Sequence, residues 1–474
     1  MFRTTQDSDG HQQSPIMLLS PYSAILGTNR VPSSEAERHK IRHHISVLER
    51  HLAIIDENTS QMIDSSNSLF YEREMCRQNL EAHKMLLSPA RRMPVEIIRR
   101  IFLECLPDGE VNKPEPSTRS APLLVSAICS GWRQVAIATP HLWNSIYLCF
   151  DDMLRSNSRA HVTNGIIKRL NYWQPAKRDA TLDMQMMRLW ISRADTVPVA
   201  IRLEYSIGSH NTTIPPTPEM VIDVLSGVRI SNLIVGIRLT VKNCIDLLSS
   251  CSQIIHCSFT RVTLNPYMQT IHREPPPISL PCLQSLWLWT DCDIGPLFDS
   301  LRLPHLTILS VEYVNRLLND SWPQSEFASL ISRSSCLLQK LRLHQISMSH
   351  EVLIACLSCV ASITELSIKD GAKCLNDIVL AAMTYRPHEG IPLIPRLEVI
   401  RFRGFAYSDQ ALVVMIESRW RHSMVFTPAT SQVSCLKTAR VVMHTKGGDP
   451  WKNLQKFHKE GLDTLGLDVD VIPS

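Results

Sequence analysis

The sequence predicts a mainly α/β protein. A helical N-terminal region and a three-helix module come first, followed by an irregular strand–helix solenoid on a parallel sheet. Three observations carry this. Apolar residues between Ile41 and Val135 recur at three- and four-residue spacing, the period of helices buried along one face. From about residue 230 the rhythm changes to apolar, two residues, apolar, one residue, apolar, repeated eight times. Helix-like stretches fill many of the gaps, and each can return the chain to the next parallel strand.

Residues 1–34 are polar, with scattered Ser, Thr and Pro, and are expected to be disordered. Residues 35–87 form a long helical region. Ile41, Ile45, Leu48, Leu52 and Ile55, then Met62 and Leu69, then Leu80 and Leu87 follow a heptad, broken at Thr59, Ser66 and Arg73. The break near Asn58–Ser68 suggests a bend or two helices folded as a hairpin. The seam supports either a dimerising coiled coil or a helix packed back on the following module. His39, His43 and His44 are read as a solvated helix face.

Residues 88–148 hold the three short helices. Pro94 suits a first helical turn, where its missing N–H costs nothing, and Glu96 suits the helix dipole. Ile97, Ile98, Ile101, Phe102 and Cys105 make the first apolar face, ended by Pro107 and Gly109. A second helix follows Pro122, with Leu124, Ile128, Trp132 and Val135 as its stripe. Pro140 opens a third short turn carrying Leu142 and Trp143. So few turns cannot bury all these side chains among themselves, so the excess faces a partner or this protein's own next domain.

Residues 149–220 are expected to be bridging helices and a first strand. Leu189-Trp190-Ile191-Ser192-Arg193 reads as a helix end, and Val199, Ile201 and Leu203 share one face of a strand. Residues 221–474 carry the repeated pattern: Ile234/Ile237/Leu239, Ile254/Cys257/Phe259, Leu283/Leu286/Leu288, Leu306/Leu309/Val311, Leu338/Leu341/Leu343, Ile363/Leu366/Ile368, Leu397/Ile400/Phe402 and Leu436/Ala439/Val441. This is the strand core of a leucine-rich repeat. Its spacing is irregular, from 20 residues (Ile237 to Cys257) to 39 (Ile400 to Ala439). Helices are expected over Asn243–Ser250, Glu326–Ser332, Glu351–Ser358, Asp377–Thr384 and Ser408–Trp420. An ordinary α/β domain is the competing reading. In each trio the second and third residues should point inward. Arg238, Lys340, Arg342, Lys369, Arg401, Arg403 and Arg440 then face outward, opposed by Glu312 and Glu365, with Trp287 and Trp289 beside them.

Composition narrows the function classes. The chain has 474 residues, 44% hydrophobic and 20% charged, within the range of soluble domains. A net charge of +4 does not argue for nucleic acid. Met17-Leu18-Leu19 is too short for a signal-peptide core, and the longest uncharged stretch, Val352 to Thr364, cannot span a bilayer. The fourteen cysteines follow no pairing pattern and read as reduced thiols in a cytoplasmic or nuclear protein. Nucleotide-binding, zinc-protease and serine-hydrolase motifs are absent. Cys356 and Cys359 form a lone C-x-x-C in an apolar helix, and Cys251, His256 and Cys257 straddle an element junction. Neither is read as a metal site, and no cofactor is implied.

Leu86-Leu87-Ser88-Pro89, Met93-Pro94-Val95-Glu96-Ile97-Ile98, Ile128-Cys129-Ser130-Gly131-Trp132-Arg133 and Pro140-His141-Leu142-Trp143 together resemble the F-box, in the F-box-like form abundant in fungi. The helical lead-in and the join from Trp190 to Val199 are also similar to that family. The chain departs from the usual pattern in having Met93 for Leu and in the insertion Pro107–Ser120. The resemblance implies a non-catalytic substrate-recognition subunit. Met93, Pro94, Ile97, Ile98 and Cys129 would face the adaptor subunit of a cullin–RING ubiquitin ligase. The repeat domain would present a protein substrate, an interaction leading to protein degradation. The alternative is a scaffold without ligase function, in which these helices only cap the repeat domain. Arg forks pair with carboxylate or phosphate and Trp supplies anchor area. The outward residues Trp287, Trp289, Arg342, Lys369, Arg401 and Arg403 are therefore candidates to bind an acidic or phosphorylated segment. The competing reading is a solvated face with the tryptophans covered by a loop.

Overall fold

In a computed structural model of the chain, the structure describes residues 20–23, 25–26, 31–61, 66–107, 116–150, 180–205, 216–263, 277–314, 322–369, 374–386, 388, 390–403, 406–425, 433–442 and 448–464. Most of the tail expected over 1–34, and much of the bridge expected over 149–220, lie outside the described residues. The chain divides into two compact units. A helical unit takes residues 1–107 and 117–139, and a sheet unit takes 108–116 and 140–474.

The helical unit begins with α1 (Glu35–Gln61) and α2 (Ser66–Leu86). Lys84 Nζ lies 2.8 Å from Glu49 Oε1, and Arg73 pairs with Asp56 nearer the turn. The two helices are therefore an antiparallel hairpin, the second of the two expected arrangements. Leu48, Ile55, Cys76 and Leu80 form its core, with Ile45 and Leu52 packed against it. The heptad seam is thus filled from within the chain. Three further helices follow: α3 (Val95–Glu104), α4 (Leu123–Ile128) and α5 (Ser130–Ile137). The single helix expected after Pro122 is two. Cys129 is extended (φ −157°) and its Sγ accepts from Trp132 N at 3.4 Å, so it caps α5 and ends α4. The expected stripe rotates as a result: Val125 and Ala136 are buried, whereas Leu124 and Ile128 are exposed.

The sheet unit is mixed α/β around one large parallel sheet. Its strands are β1 (Ser145–Cys149), β2 (Val199–Glu204), β3 (Ile230–Val235), β4 (Leu239–Thr240), β5 (His256–Thr263), β6 (Ile278–Ser279), β7 (Ser285–Thr290), β8 (Leu301–Arg302), β9 (Ile308–Tyr313), β10 (Lys340–His344), β11 (Glu365–Lys369), β12 (Val399–Arg403) and β13 (Thr438–Val441). The main sheet runs β1-β2-β3-β5-β7-β9-β10-β11-β12-β13, with β4 beside β5; β6 and β8 pair separately. The intervening helices are α6 (Ala180–Ala194), α7 (Pro218–Leu225), α8 (Val241–Ser250), α9 (Gly295–Asp299), α10 (Gln324–Ser334), α11 (His350–Ser358), α12 (Asp377–Met383), α13 (Asp409–Val425) and α14 (Asp449–Lys459). Several start at side-chain caps that satisfy free N–H groups: Thr217 for α7, Thr240 with Asn243 for α8, Ser349 for α11 and Asn376 for α12.

Register explains the core. One row of paired residues runs Ile146, Ile201, Leu233, Cys257, Leu286, Leu309, Leu341, Leu366, Ile400, Ala439. A second, two residues on, runs Leu148, Leu203, Val235, Phe259, Leu288, Val311, Leu343, Ile368, Phe402, Val441. Every member of both rows is buried, because alternate residues of a strand share a face. Two details differ from the sequence reading. The frame of β3 is Ile230/Leu233/Val235, so Ile234 points outward; Ile237 and Leu239 are buried beyond the strand's end. The sheet also starts one strand earlier, because Ile146 and Leu148 of β1 continue its rows. Trp143, expected to close the three-helix module, is instead buried in the sheet unit. Its ring lies 4.8 Å from that of Trp190, with the Arg193 guanidinium 4.4 Å from its centroid.

Candidate functional site

The helical unit presents one candidate surface. Ile98 and Phe102 are one turn apart on α3 and point inward, where Phe102 packs edge-on against Trp132 at 5.1 Å. Only the other half of the stripe remains available. Ile97 is 49% exposed, and Ile101 lies one turn along from it; Leu124 and Ile128 are similarly paired on α4, and all four are exposed. Of the five residues expected to face a partner, Pro94 and Ile97 are exposed, and Met93 and Cys129 are half-buried. Ile98 is only 8% exposed and belongs to the core, which corrects its place in that set. Ile101, Leu124 and Ile128 take the outward positions instead.

The sheet unit presents the second surface, on the side opposite the two buried rows. Its central row runs Trp287, Ser310, Arg342, Ser367, Arg401, Arg440 across β7 to β13. Small residues alternate with large ones, and this spacing decides the geometry. Over Ser310, Arg342 extends back to Trp287 and places its guanidinium 4.9 Å from the ring centroid. Over Ser367, Arg342 and Arg401 converge on Glu365 in the neighbouring row, at 3.2 and 3.3 Å, and Lys340 reaches it at 3.3 Å. Glu365 is only 5% exposed. Burial would raise its carboxyl, but Arg342, Arg401 and Lys340 outweigh burial and hold it below the usual carboxylate range.

A third row runs Trp289, Glu312, His344, Lys369, Arg403. His344 bridges it to the centre, with Nδ1 3.4 Å from Glu312 Oε2 and Nε2 3.1 Å from Ser367 Oγ. Burial and the nearby Lys369 push the imidazole down, which favours its neutral form. All six residues expected on the outward face are there. Among the described residues Trp287 and Trp289 are 40% and 44% exposed. Arg238 is exposed but lies beyond the end of β3. Sequence reasoning missed His344, Ser310 and Ser367, although their alternation with Trp287 and Arg342 is readable once the register is known.

Other candidates carry less chemistry. A cleft of about 380 Å³ at the amino ends of β3, β5 and β7 is lined by Pro198, Ser231, Gln253, Cys282, Gln284 and His305 among others. Ligands of parallel sheets gather at the opposite, carboxyl ends. Reactive thiols need a lowered pKa, whereas burial pushes Cys356 up to about 12 and Cys374 up to about 11. Cys356 lies 3.1 Å from the Trp322 indole nitrogen inside the core. Among the described residues, no three His, Cys, Asp or Glu side chains are grouped to hold a metal ion, and no helix is long and apolar enough to cross a membrane. No family model matches the chain, and no curated protein matches it.

Proposed function

We propose that this chain is an F-box-type adaptor. In this reading the helical unit docks on the adaptor subunit of a cullin–RING ubiquitin ligase, and the sheet unit, an irregular leucine-rich-repeat-like solenoid, binds a protein substrate on its outward face. Ubiquitin transfer belongs to other subunits, and the chain acts in the cytoplasm or nucleus without a cofactor. The observation that carries the reading is the split stripe of α3. Its inner half builds the unit, while Ile97 and Ile101 stay in contact with water within the F-box-like motif. Exposed apolar side chains of this kind mark protein-binding sites when they cluster. The repeat assignment is supported by ten parallel strands stacked in chain order, with two apolar rows buried beneath them.

The test is Ile97→Asp. Ile97 contributes little to the core, so the variant should keep wild-type circular dichroism. It should also lose copurification of the ligase adaptor, because burying an unpaired carboxylate in an apolar interface is strongly unfavourable. Unchanged copurification would refute the docking assignment. A wild-type chain that recovers no adaptor at all would favour the non-ligase scaffold.

A further inference from the structure

The amino ends of β2, β3, β5, β7 and β9 lie side by side, because these strands are successive neighbours in the main sheet. The cleft of about 380 Å³ crosses them, from Pro198 before β2 to His305 before β9. That is four strand spacings, about 19 Å at roughly 4.8 Å each. So small a volume spread over that length is a trough and not a chamber. The preference of ligands for carboxyl ends belongs to sheets whose strand order reverses. The main path of this sheet has no reversal among its described strands. Along the trough, His305 Nδ1 lies 2.5 Å from Pro281 O. A carbonyl only accepts, so Nδ1 carries the proton and the neutral ring keeps Nε2 as an acceptor. Arg229 donates to Thr196 O at 3.4 Å, and among the described residues no carboxylate pairs with it. Gln284 is exposed between the two, while Pro198, Ile255 and Pro281 supply apolar wall.

We infer that this trough binds an extended segment of a partner protein that carries an acidic side chain and, four residues along, a hydroxyl side chain. Arg229 and His305 stand before β3 and β9, three spacings or about 14 Å apart. An extended chain advances about 3.3 Å per residue and turns alternate side chains to one face, so positions four apart match that interval on the same side. The carboxylate meets the Arg229 fork. The hydroxyl donates to His305 Nε2, and an apolar side chain midway between them lies on Ile255. Single-stranded nucleic acid is the poorer fit. It calls for a track of cations and for aromatic platforms, whereas the trough offers one arginine and one imidazole. This site goes beyond the substrate surface proposed above and does not depend on it.

Saturation-transfer NMR on the purified full chain, which reads weak peptide binding from the ligand side, tests this. The probe is a peptide with Glu, Val and Ser at alternate positions and Gly between them. The comparison arms are the same peptide with Gln for Glu, the same peptide with Ala for Ser, and a single-stranded RNA of similar length. The probe should bind, and the Gln peptide should bind about tenfold more weakly, the loss expected for one charge-assisted contact. In Arg229→Gln the Glu and Gln peptides should bind alike. In His305→Phe the Ser and Ala peptides should bind alike, because each variant removes one partner of a pair. Arg229 and His305 are both exposed, so circular dichroism should stay that of the wild type. Lys369→Gln, on the outward face, should leave binding unchanged. Absence of transfer to the probe, equal binding of the Gln peptide to the wild type, tighter binding of the RNA, or a loss in Lys369→Gln with none in Arg229→Gln would each overturn the inference.

Discussion

Glu365 is nearly out of water, yet it stays ionised because Lys340, Arg342 and Arg401 surround it. Its folded-state pKa lies below its ordinary value of 4.5. The unfolded chain therefore takes up this proton first as pH falls. The stabilisation is complete above 4.5 and is lost as pH drops through the lower folded value. Urea midpoints of the wild type should fall on acidification through that window, and Glu365→Gln should fall less steeply. Parallel curves would show that the cluster contributes no stability. A second buried charge, Arg419, is held differently. Its guanidinium donates to the carbonyls of Met383 (2.6 Å), Leu393 (2.7 Å) and Ile394 (3.2 Å), and burial brings it down to about 10, still protonated at neutral pH. The outward position of Arg342 or Trp289 was legible in the sequence, because strand alternation has period two and one buried neighbour settles the face. The burial of Arg419 was not, because nothing local in Glu417-Ser418-Arg419-Trp420 signals three distant carbonyls. Ile98 was ambiguous for a related reason. A stripe at 97, 98, 101 and 102 is wide enough that Trp132, far along the chain, decides which half turns inward.

Among the elements, the hairpin of α1 and α2 is fastened at one end by a small ring cluster. Ser20 Oγ lies 2.7 Å from His83 Nε2, and His83 Nδ1 lies 2.6 Å from Asn79 O. Tyr22 and His44 pack against the His83 ring. Burial lowers the His44 pKa, and His83 and His43 lower it further. His44 is thus half-buried in this cluster rather than on the solvated face expected for it, whereas His39 and His43 are exposed. A histidine with a depressed folded pKa favours the folded state when neutral. Its contribution is present above the ordinary value of 6.5 and lost as pH falls below it. Melting of the helical unit should shift downward on acidification through 6.5, and His44→Phe should remove much of that shift. A pH-independent melt in the wild type would contradict it. The hairpin break was legible from Thr59 and Ser66, polar residues at seam positions. The break at Cys129 was not, since Cys is a rare cap and the stripe reads continuously through it. Trp143 fits two patterns at once: it ends the Pro140-His141-Leu142-Trp143 stretch, and with Ile146 and Leu148 it repeats the strand spacing. Its burial beside Trp190 assigns it to the sheet unit.

Over the whole molecule, the legible part was the repeated strand frame, because one hydrophobic spacing recurs with helices between. The trios from Ile254 onward fall on the buried rows, and only the earliest frame, around Ile234, was shifted by its equally spaced neighbour Ile230/Leu233/Val235. The order of strands has a mechanical consequence. Among the described residues, each main-sheet strand from β9 to β12 pairs with the ones before and after it in that order, and β13 pairs with β12 and bridges at Thr438 to Asp463, so its stability depends mainly on near neighbours. Phe402 is buried in the second row of β12 between Ile368 and Val441. Phe402→Ala should cost about 3–5 kcal/mol, the range for a large side chain removed from a packed core. That loss should stay local. Hydrogen exchange should accelerate in β11, β12, β13 and α13, while β1, β2 and β3 keep wild-type protection. Uniform acceleration across the sheet would mean that the unit opens as one cooperative body, and the nearest-neighbour argument would fail.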